Sequence, residues 1–269
     1  LRDSHAVIQE DHSVQFSELK DKACLVTGAS RGIGAAVARG LGGCGARVAV
    51  HYRSGRKEAE GVAADIEAAG GKSFLIGGDI AERGGAERIV DEAVAAWGRL
   101  DILINNAGDQ ITRCPIVDTP DDLFDRQMNI NVRSVFEACR GGVRQMRRQG
   151  DGGVIINVGS VAGRTGGGSG SQLYAGAKAF IATFSRSLAK EVVADRIRVN
   201  VLSPGVIATD MQDRVSTPAQ IAGAVATIPM GRVGTSEECV GTFLYLCSDE
   251  ASGYVTGQVL EVNGGIVMP

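Results

Sequence analysis

An α/β fold built on one doubly wound, parallel, seven-stranded sheet is predicted for this 269-residue chain by three observations. Short apolar runs alternate with helical stretches along its length, the pattern of repeated βαβ units. A glycine-rich turn, Gly28 to Gly34, follows the first apolar run and leads into an alanine-rich helix, Ala35 to Leu41. No linker, charge block or internal repeat divides the chain, and one domain of this length buries a large core.

The strands are predicted at 23–27, 46–52, 73–77, 100–105, 153–158, 197–203 and 257–262, with helices between them. The first, Cys24-Leu-Val-Thr-Gly, runs into Gly28, Gly32 and Gly34. The third ends at Asp79-Ile80 and the fourth at Asn105-Asn-Ala-Gly108. Residues 121–148 read as one helix. Its stripe of Phe124, Met128, Val132, Val135, Phe136, Cys139 and Val143 at helical spacing marks core or a subunit contact. The fifth strand, Val154-Ile-Ile-Asn-Val-Gly, places Ser160 at the carboxyl edge of the sheet, where ligands bind in open α/β folds. Glycine-rich residues 163–171 predict a mobile rim. Residues 206–232 predict one long irregular insert, a lid or binding loop. Residues 1–16 read as an arm ahead of the domain at 17–269.

Composition narrows the function. A net charge of −3 gives no electrostatic case for nucleic acid or an anionic membrane. No apolar run reaches the ~18 residues of a membrane span. The first fifteen residues lack the apolar stretch of a signal peptide and are too acidic for a mitochondrial presequence. Six scattered cysteines without a Cys-x-x-Cys motif suit free thiols in a reducing compartment, so the expected location is cytoplasmic, with no metal site.

The chemistry is concentrated in Tyr174-Ala-Gly-Ala-Lys178. Four residues apart on a helix, the phenol and the ammonium share a face. A free phenol titrates near ~10, and a neighbouring cation lowers that value. A hydroxyl from Ser160 is placed to orient a substrate oxygen beside the phenol. At the glycine turn, the backbone approaches a pyrophosphate closely, and the following helix directs its N-terminus at it. A carboxylate after the second strand would bind ribose hydroxyls. Arg47-Val-Ala-Val-His-Tyr-Arg53 has Tyr52 and then Arg53 there instead, and Arg31 lies near the same end. Two guanidiniums suit a 2′-phosphate, so NADP(H) is expected ahead of NAD(H).

Taken with Thr27-Gly-Ala-Ser-Arg-Gly-Ile-Gly34, Asn105-Asn-Ala-Gly108 and Ser203-Pro-Gly205, in this order, these residues resemble the short-chain dehydrogenase/reductase family over roughly 17 to 265. The nearest likeness is to bacterial 3-oxoacyl-[acyl-carrier-protein] reductases. The resemblance implies a Rossmann-type fold, a homotetramer, and a catalytic set of Asn131, Ser160, Tyr174 and Lys178. Tyr174 would be the acid/base, Lys178 the cofactor anchor, Ser160 the substrate orienter and Asn131 a relay. It implies cofactor contacts from Gly28, Ser30, Arg31, Gly32, Ile33 and Gly34. Tyr52, Arg53 and Ser54 follow, with Asp79 and Ile80 and then Asn106, Ala107 and Gly108. Tyr174, Lys178, Pro204, Gly205, Ile207 and Thr209 complete the set, Val206 and Ile207 forming an apolar wall. The implied reaction is reduction of a small or carrier-bound ketone. Oxidation of an alcohol, sugar or polyol, or a non-catalytic nucleotide sensor, are the other readings. Arg140, Arg144, Arg147, Arg148 and Lys190 form a basic cluster suited to an acidic carrier or to a solvated helix face.

Overall fold

The computed structural model describes residues 16–268. The arm expected at 1–16 falls almost wholly outside them, although Phe16 already packs on the core. From the amino end, β1 (Ala23–Val26), α1 (Gly32–Gly43), β2 (Arg47–Tyr52), α2 (Arg56–Ala68), β3 (Lys72–Gly77), α3 (Gly85–Trp97) and β4 (Ile102–Asn105) form the first half. The second half comprises α4 (Asp121–Met128), α5 (Ser134–Gln149), β5 (Gly153–Val158), α6 (Ala162–Thr165), α7 (Gln172–Val192) and β6 (Ile197–Pro204). Then come α8 (Asp210–Val215), α9 (Pro218–Thr227), α10 (Glu237–Cys247), α11 (Asp249–Ser252) and β7 (Val259–Val262).

All seven strands pair in parallel in the order β3-β2-β1-β4-β5-β6-β7. Parallel sheets need both faces covered, which explains why the central strands are apolar throughout rather than alternating. One core joins α1, α2 and α10 to one face through Val37, Leu41, Ile66 and Phe243. The other packs α3, α5 and α7 on the opposite face through Ile89, Val135, Met146 and Ile181. The strand order reverses between β1 and β4. The loops leaving their carboxyl ends therefore diverge and open a crevice, the usual ligand position in such sheets.

Two regions differ from the sequence expectation. The helix expected at 121–148 is interrupted by a π-turn at Asn129–Arg133, where the Ser134 N–H reaches back five residues to Asn129 O. Of its apolar stripe, Val135, Cys139 and Val143 are buried, while Phe124 and Phe136 are exposed. The insert expected to be irregular at 206–232 contains α8 and α9. α9 is started by a capping box, with Thr217 Oγ1 accepting from Gln220 N–H and the Gln220 side chain accepting from Thr217 N–H, and by Pro218 at its first position.

Candidate active site

A cleft of about 800 Å³ runs along the carboxyl edge of the sheet, from the β1–α1 turn to α8 and α9. Its first part is a backbone cradle. Gly28 has φ +63°, and a Cβ there would lie 3.0 Å from Ala107. A Cβ on Gly34 would collide with Gly28 O and the Asn106 amide. Gly34 thus works by close packing and does not line the cleft, whereas Gly28, Ser30, Gly32 and Ile33 do. Asn106 Nδ2 donates to Thr27 O and Gly28 O at 2.9 and 3.1 Å, tying the β1 and β4 turns together.

His51, which sequence reasoning passed over, completes the cradle. Gly28 N–H donates to its Nδ1 at 3.0 Å, and its Nε2 lies 3.1 Å from Gly78 O. Accepting on Nδ1 and donating from Nε2 is the neutral tautomer. Burial lowers its pKa, against smaller opposing effects of the Gly78 hydrogen bond and Asp79.

At the nucleotide end the two arginines part company. Arg53 and Ser54 line the cleft, and Arg53 has no carboxylate within 4.0 Å among the described residues. Arg31 also lines it but is paired with Asp210 at 2.9 Å and, more loosely, with Glu58 at 3.9 Å. Tyr52 is a correction: its side chain does not reach the cleft. Strand alternation turns it away, and its ring covers Gly77, where an added Cβ would meet Oη at 2.9 Å. Asp79 and Ile80 line the cleft, with Asp79 Oδ1 accepting from Ala81 N–H at 2.8 Å.

Ser160, Tyr174 and Lys178 meet at the floor. Ser160 follows β5, and its Oγ accepts from Ala162 N–H at 3.1 Å. Tyr174 and Lys178 share one face of α7, with the ammonium 5.6 Å from the ring centroid. Lys178 Nζ donates to Val158 O at 2.8 Å. Burial holds the Lys178 pKa down to about 8. Burial pushes the Tyr174 phenol up to about 12, with the Ser160 hydrogen bond acting in the opposite sense and Asp109 adding to the rise. The cation alone does not lower the phenol's pKa as its spacing implied, because desolvation is the larger effect.

Asn131 lies in the π-turn, fully buried and outside the cleft. Its Nδ2 donates to Gln127 O and Asp109 O at 3.0 and 2.8 Å, and its Oδ1 accepts from Asp109 N–H at 3.2 Å. A Cβ on Gly108 would fall 2.8 Å from Asn131 Oδ1 and 3.1 Å from Lys178 Nζ, so the glycine lets the two side chains converge.

Pro204 at the end of β6 and Gly205, Val206, Ile207 and Thr209 beyond it, expected beside the nicotinamide, line the cleft, with Ile207 buried. The cleft is also lined by Asp109, Gln110 and Arg113, which were not foreseen from the sequence, by Ser171 from the expected rim, and by Met211 and Arg214 from the expected lid. The signal for the first three was position: 109–113 continues the loop from the carboxyl end of β4, where side chains project at ligands. The glycine-rich rim at 163–171 lines the cleft through Gly167, Gly168 and Ser169. It is held to the neighbouring loop by Cys114 N–H donating to Gly170 O at 3.0 Å.

A nicotinamide dinucleotide fits this cleft: a tight turn that glycines allow, a helix N-terminus, an arginine at one end and a proton donor at the other. Residues 28–267 match the family model described as Enoyl-(Acyl carrier protein) reductase. The 3-oxoacyl-[acyl-carrier-protein] reductase FabG of Escherichia coli K12 is 40% identical over 248 residues, covering 92% of this chain and 98% of that protein. An NADH-dependent reductase, A1-R', complexed with NAD superposes with a TM-score of 0.84 at 34% identity, covering 94% of this chain and all of that one. A blue fluorescent protein from a metagenomic library, in complex with NADPH, superposes with a TM-score of 0.86 at 35% identity over 93% of this chain and 99% of that one. The chain therefore belongs to the short-chain dehydrogenase/reductase family of oxidoreductases.

Proposed function

We propose that the protein reduces a ketone to a secondary alcohol with NADPH, Tyr174 giving the proton. The observation that carries this reading is the meeting of Tyr174, Ser160 and Lys178 at the inner end of a dinucleotide cradle. When bound, the nicotinamide supplies a hydride to the carbonyl carbon. Ser160 and Tyr174 hold the carbonyl oxygen between them, and the phenol O–H passes its proton there as the C=O becomes C–OH. The Lys178 ammonium stabilises the phenolate that remains until it regains a proton from solvent. Asn131 keeps the 108–109 bend against Lys178 through two hydrogen bonds with the Asp109 backbone, and a third to Gln127 O holds the amide in place. At neutral pH the buried phenol is protonated, so it has the proton that reduction of a ketone consumes.

NADPH is favoured by Arg53, the cleft's uncompensated cation at the nucleotide end, and by the absence of a carboxylate at the end of β2. Arg31, shared with two carboxylates, contributes less than its position in the sequence implied. A carrier-bound 3-oxoacyl substrate is the second reading, supported by the similarity to the Escherichia coli reductase. Exposed rings of Phe124, Phe136 and Phe180 on α4, α5 and α7 support the tetramer reading.

The test is a panel of ketones assayed with NADPH and NADH. Arg53→Ala should raise the NADPH KM at least about tenfold, the scale of hydrogen bonds to a charged group, and shift NADH little. Equal losses would make Arg53 structural, and NAD-linked polyol oxidation without ketone reduction would overturn the reaction.

A further inference from the structure

We infer that the substrate end of the cleft holds an anion site centred on Arg113, so that the ketone reduced here carries a carboxylate a few carbons from its carbonyl; this rests on the ketone-reduction reading above. Arg113 lies five residues beyond Gly108 on the loop leaving β4, and its side chain spans from the start of α7 to the end of α8. Its Nε donates to Val215 O at 2.9 Å, Nη1 to Ser171 Oγ at 2.5 Å and Nη2 to Ser216 Oγ at 3.3 Å. These acceptors are all neutral. A guanidinium has five N–H groups, so two remain to be given.

The charge is uncompensated as well. Among the described residues no carboxylate lies within 4.0 Å of Arg113, while two other arginines lining the cleft are matched, Arg214 by Asp109 and Arg31 by Asp210. Arg53 is the corresponding lone arginine at the nucleotide end. The cleft thus presents one unmatched guanidinium at each end, one for the cofactor's phosphate and one for the substrate.

Ser171 makes the site specific for an acceptor. Its Oγ takes hydrogen bonds from both Arg113 and Gln110 Nε2, the latter at 2.8 Å, and both side chains of that second pair are buried. With two donors on its lone pairs, the Ser171 hydroxyl has its own proton left to offer. An anionic oxygen completes this set, and a donor does not. Ser171 also precedes Tyr174 by one turn of α7, about 4.5 Å along the axis, which places the anion close to the reacting carbonyl. The N-terminal partial charge of α7 acts in the same direction.

A neutral thioester would leave this charge unmatched. The basic cluster suited to a carrier protein is largely engaged within the chain, since Arg140 and Arg144 bind Glu87 and Arg147 binds Asp195. The structure therefore favours a free oxo acid.

The decisive comparison pairs 4-oxopentanoate and 5-oxohexanoate with their methyl esters. Binding to the NADPH complex is followed by calorimetry, and turnover is followed separately. Wild type should bind and reduce the acids at least about tenfold better than the esters. Arg113→Met should erase that preference, the acid losing far more than the ester, and Arg113→Lys should restore part of it. Melting temperatures show whether each variant is folded. Equal treatment of acid and ester by wild type, or equal losses for both in a folded Arg113→Met, would overturn the anion site while leaving ketone reduction in place. Arg113-dependent binding of the acid without reduction would support the site and sink the reaction.

Discussion

Tyr174 and His51 show what a single residue can and cannot disclose. Tyr174→Phe removes only the transferable proton, so kcat should fall by about 10²–10⁴ with NADPH binding nearly intact. Retention of more than a tenth of wild-type kcat would remove Tyr174 from the proton-transfer role. His51 gives a pH prediction. Unfolded, it takes up a proton as pH falls through about 6.5, whereas burial delays that uptake in the folded protein to lower pH. Between those values the unfolded chain binds more protons, so stability is full above about 6.5 and falls as pH drops towards the folded pKa. Protonated Nδ1 would also oppose Gly28 N–H and loosen the cradle. His51→Gln should flatten the acid limb of a Tm-against-pH curve, and an unchanged limb would remove His51 as its cause. Tyr174, Lys178 and Ser160 were legible because one helix and one strand edge fix their spacing. His51 and Arg113 were not, because their partners lie 23 to 103 residues away in sequence.

At the scale of elements, the seven strands could be read because buried parallel strands are written as short apolar runs, and their ends moved by no more than a residue or two. The π-turn could not be read as such, although its cause was visible. Asn131 is a poor interior helix residue, and here its side chain takes the Gln127 carbonyl that an α-helix would give to a backbone N–H. α9 was missed because a run of alanine and glycine lacks a strong apolar stripe, yet Thr217-Pro-Ala-Gln220 is a legible start signal. α9 contributes Gln220, Gly223, Ala224 and Thr227 to the cleft wall, so its order bears on substrate binding. Thr217→Ala should cost about 1 kcal/mol of local helix stability, read as faster amide exchange across 218–227. Unchanged exchange there would show that packing, not the cap, holds the helix.

The whole molecule is two apolar cores clamped on one sheet, with the cleft where the strand order reverses. Composition and alternation were enough to read this architecture, but the occupant of the cleft depends on charges that pair only in the folded state. Loops from β1, β2, β4, β5 and β6 all contribute to the cleft, so a dinucleotide bound there joins segments from both halves of the chain. Such a ligand binds the folded state alone and stabilises it by about 2.7 kcal/mol at a hundredfold excess over Kd. For a domain of this size that corresponds to a rise in Tm of roughly 5–10 °C. If Arg53 reads the 2′-phosphate, NADPH should give the larger rise at equal concentration, and Arg53→Ala should bring its effect down to that of NADH. The readout needs no turnover, so it separates cofactor preference from the identity of the ketone. Equal shifts from the two cofactors in wild type would refute the NADPH preference, and no shift from either would refute a preformed nicotinamide site.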